Sequence, residues 1–62
     1  MAEVFRRENI ILHNGDIVSF EYDGKERKGL LFYEETDKNF MILLSEDVII
    51  SADEVVKTLK LV

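Results

Sequence analysis

Apolar and polar side chains alternate most regularly in residues 16–22, which read Asp-Ile-Val-Ser-Phe-Glu-Tyr. A period of two is typical of a strand with one face buried. The dipeptide Asp23-Gly24 follows, and it favours the positive φ angles of a type I′ turn. The chain then returns through residues 25–33. We therefore predict a β-hairpin that extends from residue 16 to residue 33.

The returning strand changes character at Gly29. The residues before this glycine are charged, whereas residues 30–33 are apolar at every position. A glycine at such a change predicts a bulge or a sharp bend, the device by which small barrels turn a corner. Residues 34–39 are polar and predict the next turn.

Two further apolar runs, residues 40–44 and 48–50, predict a third and a fourth strand separated by a break at residues 45–47. Ser51 and Glu54 have the spacing of a capping box, in which each side chain accepts from an amide at the start of a helical turn.

The last eight residues, 55–62, allow two interpretations. Their β-branched content and their alternating end favour a 3₁₀ turn followed by a fifth strand. The alternative is a C-terminal α-helix that buries Val55, Val56 and Leu59.

The N-terminal part is less regular. Residues 2–8 predict a short helix or arm with Val4 and Phe5 directed inward. Residues 10–12 predict a short strand, and Asn14-Gly15 is a second turn dipeptide.

Strands that recur every 8–12 residues predict a small barrel or sandwich, and a barrel encloses the core that an open sheet would expose. We expect one all-β domain over residues 1–62. It would be a five-stranded barrel with an N-terminal helix or arm and a 3₁₀ turn before the last strand.

Three segments carry a resemblance to the SH3-like and KOW-like barrels: residues 15–18 (Gly-Asp-Ile-Val), the dipeptide Asp23-Gly24, and residues 51–56 (Ser-Ala-Asp-Glu-Val-Val). This resemblance implies a module that contacts a protein, a peptide or a nucleic acid, and it implies no particular ligand.

A weaker and partial resemblance links residues 29–43 to the first motif of the Sm-like RNA-binding barrels. Gly29, Glu35 and Asn39 match the spacing of that motif. In the Sm-like family the acidic residue and the asparagine contribute to a nucleotide pocket. Here Glu35 stands where the family has aspartate, and Asp37 occupies the position of the stacking residue.

Composition restricts the possible chemistry. The 62 residues include no cysteine and one histidine, His13, and no serine lies in a nucleophile-elbow motif. We therefore predict no catalytic residue, no metal ligand and no cofactor. The chain also has no apolar run of the roughly 18 residues that would span a bilayer. We expect a cytoplasmic protein with no membrane contact.

A net charge of −5 disfavours nucleic acid as the partner, because affinity for phosphate comes mainly from lysine and arginine. The alternative remains a small RNA- or DNA-binding barrel that uses Lys25, Arg27, Lys28 and Asn39. A third possibility, suggested by small size and acidity, is a phage-type inhibitor of a nucleic-acid-binding protein.

The excess of apolar residues is the most informative pattern. In an isolated barrel each strand alternates between core and water, yet residues 30–33, 41–44 and 48–50 are apolar on both faces. The outward set would form a patch of the size that marks an interface. We therefore predict a non-enzymatic interaction module that forms a homo-oligomer or docks on a larger protein. Its predicted interface consists of Leu31, Tyr33, Met41, Leu43 and Ile49.

Overall fold

A computed structural model describes residues 3–62, which form two antiparallel sheets and one short 3₁₀ turn. The elements of this part of the chain are β1 (Val4–Arg7), β2 (Ile10–His13), β3 (Ile17–Tyr22), β4 (Lys25–Glu34), β5 (Asn39–Ser45), β6 (Val48–Ser51), the 3₁₀ turn (Ala52–Val55) and β7 (Lys60–Leu61). The predicted all-β class is confirmed, as are the 3₁₀ turn and the final strand.

Strands β1 and β2 form a hairpin, and the other five strands form one sheet in the order β6-β5-β4-β3-β7. Every neighbouring pair is antiparallel. Within residues 3–62 the sheet is not closed into a barrel, because β6 and β7 are its two edges and do not pair with each other.

The predicted N-terminal helix is wrong. Residues 4–7 are extended and pair with residues 10–13, which places Phe5 opposite Leu12. Both of these side chains are fully buried. Alternation explains the result, since a strand directs Phe5 inward and leaves Val4 and Arg6 exposed. Ala2, the first residue of the predicted helix, lies outside the described residues.

The core lies between the inner face of the five-stranded sheet, the β1–β2 hairpin and the 3₁₀ turn. Phe5 packs edge-to-face on Phe40 with ring centroids 5.6 Å apart. Such aromatic pairs contribute roughly 0.5–1.5 kcal/mol beyond the area that they bury. The buried apolar residues are Phe5, Leu12, Val18, Phe20, Leu31, Phe40, Ile42, Ile50, Ala52, Val55 and Leu59.

The Asp23-Gly24 turn forms as expected, with φ angles of 57° and 77°. Gly29, in contrast, is not at a bulge, because it pairs in regular register with Val18. The irregularity in the sheet lies between Leu43 and Ser45, where β5 meets β6. Gly29 allows β4 and β5 to approach each other closely. A Cβ atom at this position would lie 2.6 Å from Ile42 Cγ2 and 2.8 Å from the Leu43 carbonyl oxygen.

Of the two predicted capping-box interactions, only the one made by Ser51 forms among residues 3–62. Ser51 Oγ accepts a hydrogen bond from the Asp53 amide (3.3 Å) and another from Asn39 Nδ2 (3.4 Å). Glu54 is exposed and makes no side-chain hydrogen bond to any residue between 3 and 62. A four-residue 3₁₀ turn is too short to return the Glu54 side chain to the Ser51 amide in the way that an α-helical first turn does.

We expect Gly29→Ala to destabilise the fold by about 1–3 kcal/mol, because the new methyl group would force the β5 backbone to move. Urea unfolding measures the effect. Gly24→Asn is the control, since the site is open and asparagine tolerates positive φ. Equal stability of Gly29→Ala and the wild-type protein would contradict the close packing of β4 on β5.

We expect Ser51→Ala to cost about 1 kcal/mol, the usual effect of losing a capping hydroxyl. A double-mutant cycle with Asn39→Ala should show coupling, because the two side chains share a hydrogen bond. The same cycle with Glu54→Ala should be additive. Coupling to Glu54 instead of Asn39 would show that the capping box forms.

Candidate functional site

The register of the five-stranded sheet brings one apolar residue from each of β3, β4, β5 and β6 into a line across its outer face, which we call the outer row. Ile17 lies opposite Leu30, Leu30 opposite Leu43, and Leu43 opposite Ile49. Beyond Ile17 the row ends at Val62, whose amide donates to the Ile17 carbonyl (3.1 Å). The outer row therefore crosses the whole sheet from β6 to the C-terminal segment.

The outer row is accessible to solvent. The exposed fractions are 63% for Val62, 49% for Ile17, 37% for Leu30 and 50% for Ile49, and Leu43 is half-buried. Their neighbours along the chain, which include Val18, Leu31, Ile42 and Ile50, are buried in the core. Since successive side chains of a strand point to opposite faces, this contrast places the row on the outer surface.

A second apolar pair widens the row. Phe32 lies opposite Met41 on the same face, and both are half-buried. We call the combined surface the outer-face patch. It consists of Ile17, Leu30, Phe32, Met41, Leu43, Ile49 and Val62.

Polar residues border the outer-face patch on both sides. On one side Glu34 lies opposite Asn39. On the other side Ser19 lies between Lys28 and Lys60, which are exposed. An apolar centre with a polar border is the usual arrangement of a protein–protein interface.

The structure divides the five residues of the predicted interface between the two faces of the sheet. Met41, Leu43 and Ile49 belong to the outer-face patch, but Leu31 is fully buried on the inner face. Tyr33 points to the inner face as well, because it is two residues from Leu31 on the same strand. Its ring packs against Phe40 with ring centroids 5.2 Å apart. Where a strand is apolar at every position, alternation alone does not reveal which face is inward, because the cross-strand register decides it.

Sequence reasoning missed Ile17, Leu30, Phe32 and Val62. Ile17 begins β3 on the face otherwise occupied by the polar Ser19 and Glu21, and Val62 follows the last residue of β7, so neither is marked as part of an apolar face by its own segment. Ile17 and Val62 belong to the patch because strand pairing places them in line with Leu30 and Leu43. This alignment is visible only once the pairing is known.

The residues of the nucleic-acid alternative are not brought together. Lys25, Arg27 and Lys28 are exposed near the start of β4, whereas Asn39 pairs with Glu34 at its other end. At about 3.3 Å per residue, Lys28 and Glu34 are separated by roughly 20 Å along the strand. The Asn39 side chain is also engaged, since its Oδ1 accepts from the Phe40 amide and its Nδ2 donates to Ser51.

Negative charge gathers near the β4–β5 turn. Partial burial raises the pKa of the Tyr33 phenol, and the nearby carboxylates of Glu3 and Glu35 raise it further. Lysine and arginine occupy the opposite end of β4. Along β4 the charge of the molecule therefore changes sign.

Within residues 3–62 the side chains form no group of three or more histidine, aspartate or glutamate residues able to hold a metal ion. No helix in this part of the chain is long and apolar enough to cross a membrane.

One ion pair holds the β1–β2 hairpin to the 3₁₀ turn. Arg7 donates through Nε and Nη2 to the two carboxylate oxygens of Asp53, at 2.8 and 2.9 Å. Its guanidinium also lies over the Phe5 ring, 4.2 Å from the centroid. The hydrogen bond from Arg7 lowers the pKa of Asp53, and the same bond raises the pKa of Arg7.

Comparison of the chain with family models, with curated proteins and with solved structures found no match.

We expect the contribution of Asp53 to stability to depend on pH. Because Arg7 lowers its folded-state pKa, the stabilisation is fully present above the ordinary value of 3.8 and is lost as the pH falls through the folded value. The pair is half-exposed, so Asp53→Asn should cost about 0.2–1 kcal/mol at pH 7. Urea unfolding of both proteins between pH 7 and pH 3 should show this difference shrinking.

Asp47→Asn is the matched control, because Asp47 is exposed and makes no side-chain hydrogen bond to residues 3–62. It should change stability little at pH 7. A cost for Asp53→Asn that stays constant down to pH 3 would contradict the ion pair.

Proposed function

We propose that this protein is a non-enzymatic interaction module that self-associates through the outer-face patch. The observation that carries the proposal is the unbroken apolar row across the sheet, which is exposed although alternate residues of the same strands fill the core. Aliphatic and aromatic side chains bind because contact with a partner removes their apolar surface from water. A patch of such side chains is suited to binding and not to catalysis.

We also propose an SH3-like arrangement for the five-stranded sheet, open at one seam. Its support is the strand order, in which β3 lies between β4 and β7, together with the 3₁₀ turn that precedes β7. The β1–β2 hairpin then covers the inner face, while the outer face has no cover within residues 3–62.

The outer-face patch groups several apolar side chains that contact one another on one exposed surface. Contiguous exposed apolar patches are where interaction sites occur on small proteins. Fully burying one large apolar side chain contributes roughly 1.5–3 kcal/mol. For a chain of 62 residues, a few such side chains are comparable with the whole stability of the fold.

Charge at the borders favours a second copy as the partner. A two-fold axis that runs parallel to the outer row, midway between it and the Phe32–Met41 pair, places the outer row of one copy against the Phe32–Met41 pair of the other. The same rotation brings Lys28 of each copy opposite Glu34 of its partner, because each is three residues from the axis along β4. Opposite charges around an apolar centre steer association and fix its register.

We expect Ile49→Glu to dissociate the homo-oligomer, because it places a charge in a dry contact. Sedimentation equilibrium over a concentration series measures the mass. Ile11→Glu is the matched control: Ile11 is 52% exposed and Ile49 is 50% exposed, both lie on four-residue strands, but Ile11 is on the outer side of the hairpin. The control should keep the mass of the wild-type protein.

Charge reversal provides a second arm of the same experiment. Lys28→Glu should weaken self-association, and adding Glu34→Lys should restore it, because residues 28 and 34 then exchange charge in both copies and again face opposite charges. A monomeric wild-type protein at high micromolar concentration would overturn self-association. A decrease of the oligomer mass in both Ile49→Glu and Ile11→Glu would show that the interface is not specific to the outer-face patch.

A further inference from the structure

A second surface lies away from the outer-face patch, between the β1–β2 turn and the C-terminal segment. One wall is formed by residues 7–10 and the other by residues 56, 57 and 59–61. Ile10, Val56 and Leu59 supply an apolar floor, and Leu61, at the rim, is 59% exposed. We call this surface the hairpin groove.

Both walls of the hairpin groove are held in place. The Arg7–Asp53 pair attaches the hairpin to the 3₁₀ turn. The Thr58 hydroxyl accepts from the Glu21 amide (2.9 Å), which attaches the C-terminal segment to β3. The groove is therefore a formed feature of the fold.

Strand β7 presents free backbone groups to the groove. It is an edge strand that pairs with β3 alone. The Val62 amide donates to the Ile17 carbonyl, and antiparallel pairs alternate between bonded and non-bonded positions. The N–H and C=O groups of Leu61 therefore point away from β3, toward the groove. An extended chain laid there would add a strand to the sheet.

The charge of the hairpin groove differs from that of the whole protein. Its lining includes Arg7, Lys57 and Lys60 against one carboxylate, Glu8, although the protein carries −5. Arg7 is neutralised by Asp53. Lys57 and Lys60 have no salt-bridge partner among residues 3–62. A ligand that alternates apolar and acidic side chains would match both the floor and the rim.

We infer that the hairpin groove binds an extended acidic peptide, which pairs with the free edge of β7 and places its carboxylates beside Lys57 and Lys60. The apolar side chains of the peptide pack on Ile10 and Leu61. This site does not use the outer-face patch, so the Ile49→Glu variant should retain it.

The test uses the full ¹⁵N-labelled chain and three synthetic probes. The first is an acetylated, amidated hexapeptide of alternating glutamate and valine. The second replaces each glutamate with lysine. The third keeps the acidic sequence but carries N-methyl groups on the valines, which removes the amides along one edge.

We expect the acidic probe to shift the amide resonances of Ile10, Lys60 and Leu61, and we expect its affinity to fall as salt is added. The lysine probe and the N-methylated probe should give no saturable shift. Lys57→Glu combined with Lys60→Glu should weaken binding by about tenfold or more. Lys25→Glu combined with Arg27→Glu makes the same change of charge outside the groove and should leave binding unchanged.

Several results would overturn the inference. One is the absence of shifts at millimolar acidic probe, and another is a set of shifts centred on the outer-face patch. Equal binding of the N-methylated probe would exclude strand addition. A single-stranded oligonucleotide that shifts the same amides at lower concentration would identify nucleic acid as the ligand. In the Ile49→Glu variant, shifts of the Ile10 and Leu61 amides that depend on protein concentration without any peptide would identify a second copy as the occupant.

Discussion

The register of β4 with its two neighbours is the constraint on which the rest of the structure depends. In β4, Leu31 lies opposite Ile42 and Ile42 opposite Ile50, and this row fills the core. The adjacent row, Leu30 with Leu43 and Ile49, then faces outward. A shift of one residue would exchange the two rows, because side chains alternate with a period of two. Gly29 supports this register, since its missing side chain lets β5 approach β4 closely.

The two faces of the sheet are covered unequally. The inner face receives Phe5 and Leu12 from the β1–β2 hairpin and Ala52 and Val55 from the 3₁₀ turn. A two-stranded hairpin is marginal by itself in water, so its own stability comes from those buried side chains and from the Arg7–Asp53 pair. Among residues 3–62 no further element covers the outer face. An apolar outer face is the consequence, and it provides the physical basis for the proposed self-association.

The two surfaces arise from different features of the fold. The outer-face patch exists because its strands are apolar at every position. It would bind a partner by burying apolar surface. The hairpin groove follows from an open sheet edge beside two lysines, and backbone hydrogen bonds and charge are its means of binding. They lie on different sides of β7, which contributes Lys60 to the border of one and to the wall of the other.

The sequence alone determined the all-β class, the Asp23-Gly24 hairpin and the 3₁₀ turn after Ser51, because alternation, a turn dipeptide and a capping serine are signals within a few residues. The alternating end favoured the final strand over a helix, although that strand pairs with the distant β3. It also indicated that Met41, Leu43 and Ile49 exceed what one core requires. It did not reveal that residues 4–7 form a strand, because Val-Phe-Arg-Arg shows no alternation of apolar and polar side chains. It grouped Leu31 and Tyr33, which lie on the inner face, with residues of the outer face, and it grouped Asn39 with cations at the other end of β4. Only the tertiary structure decided these points, since the face of an all-apolar strand is set by its cross-strand register and not by its own pattern.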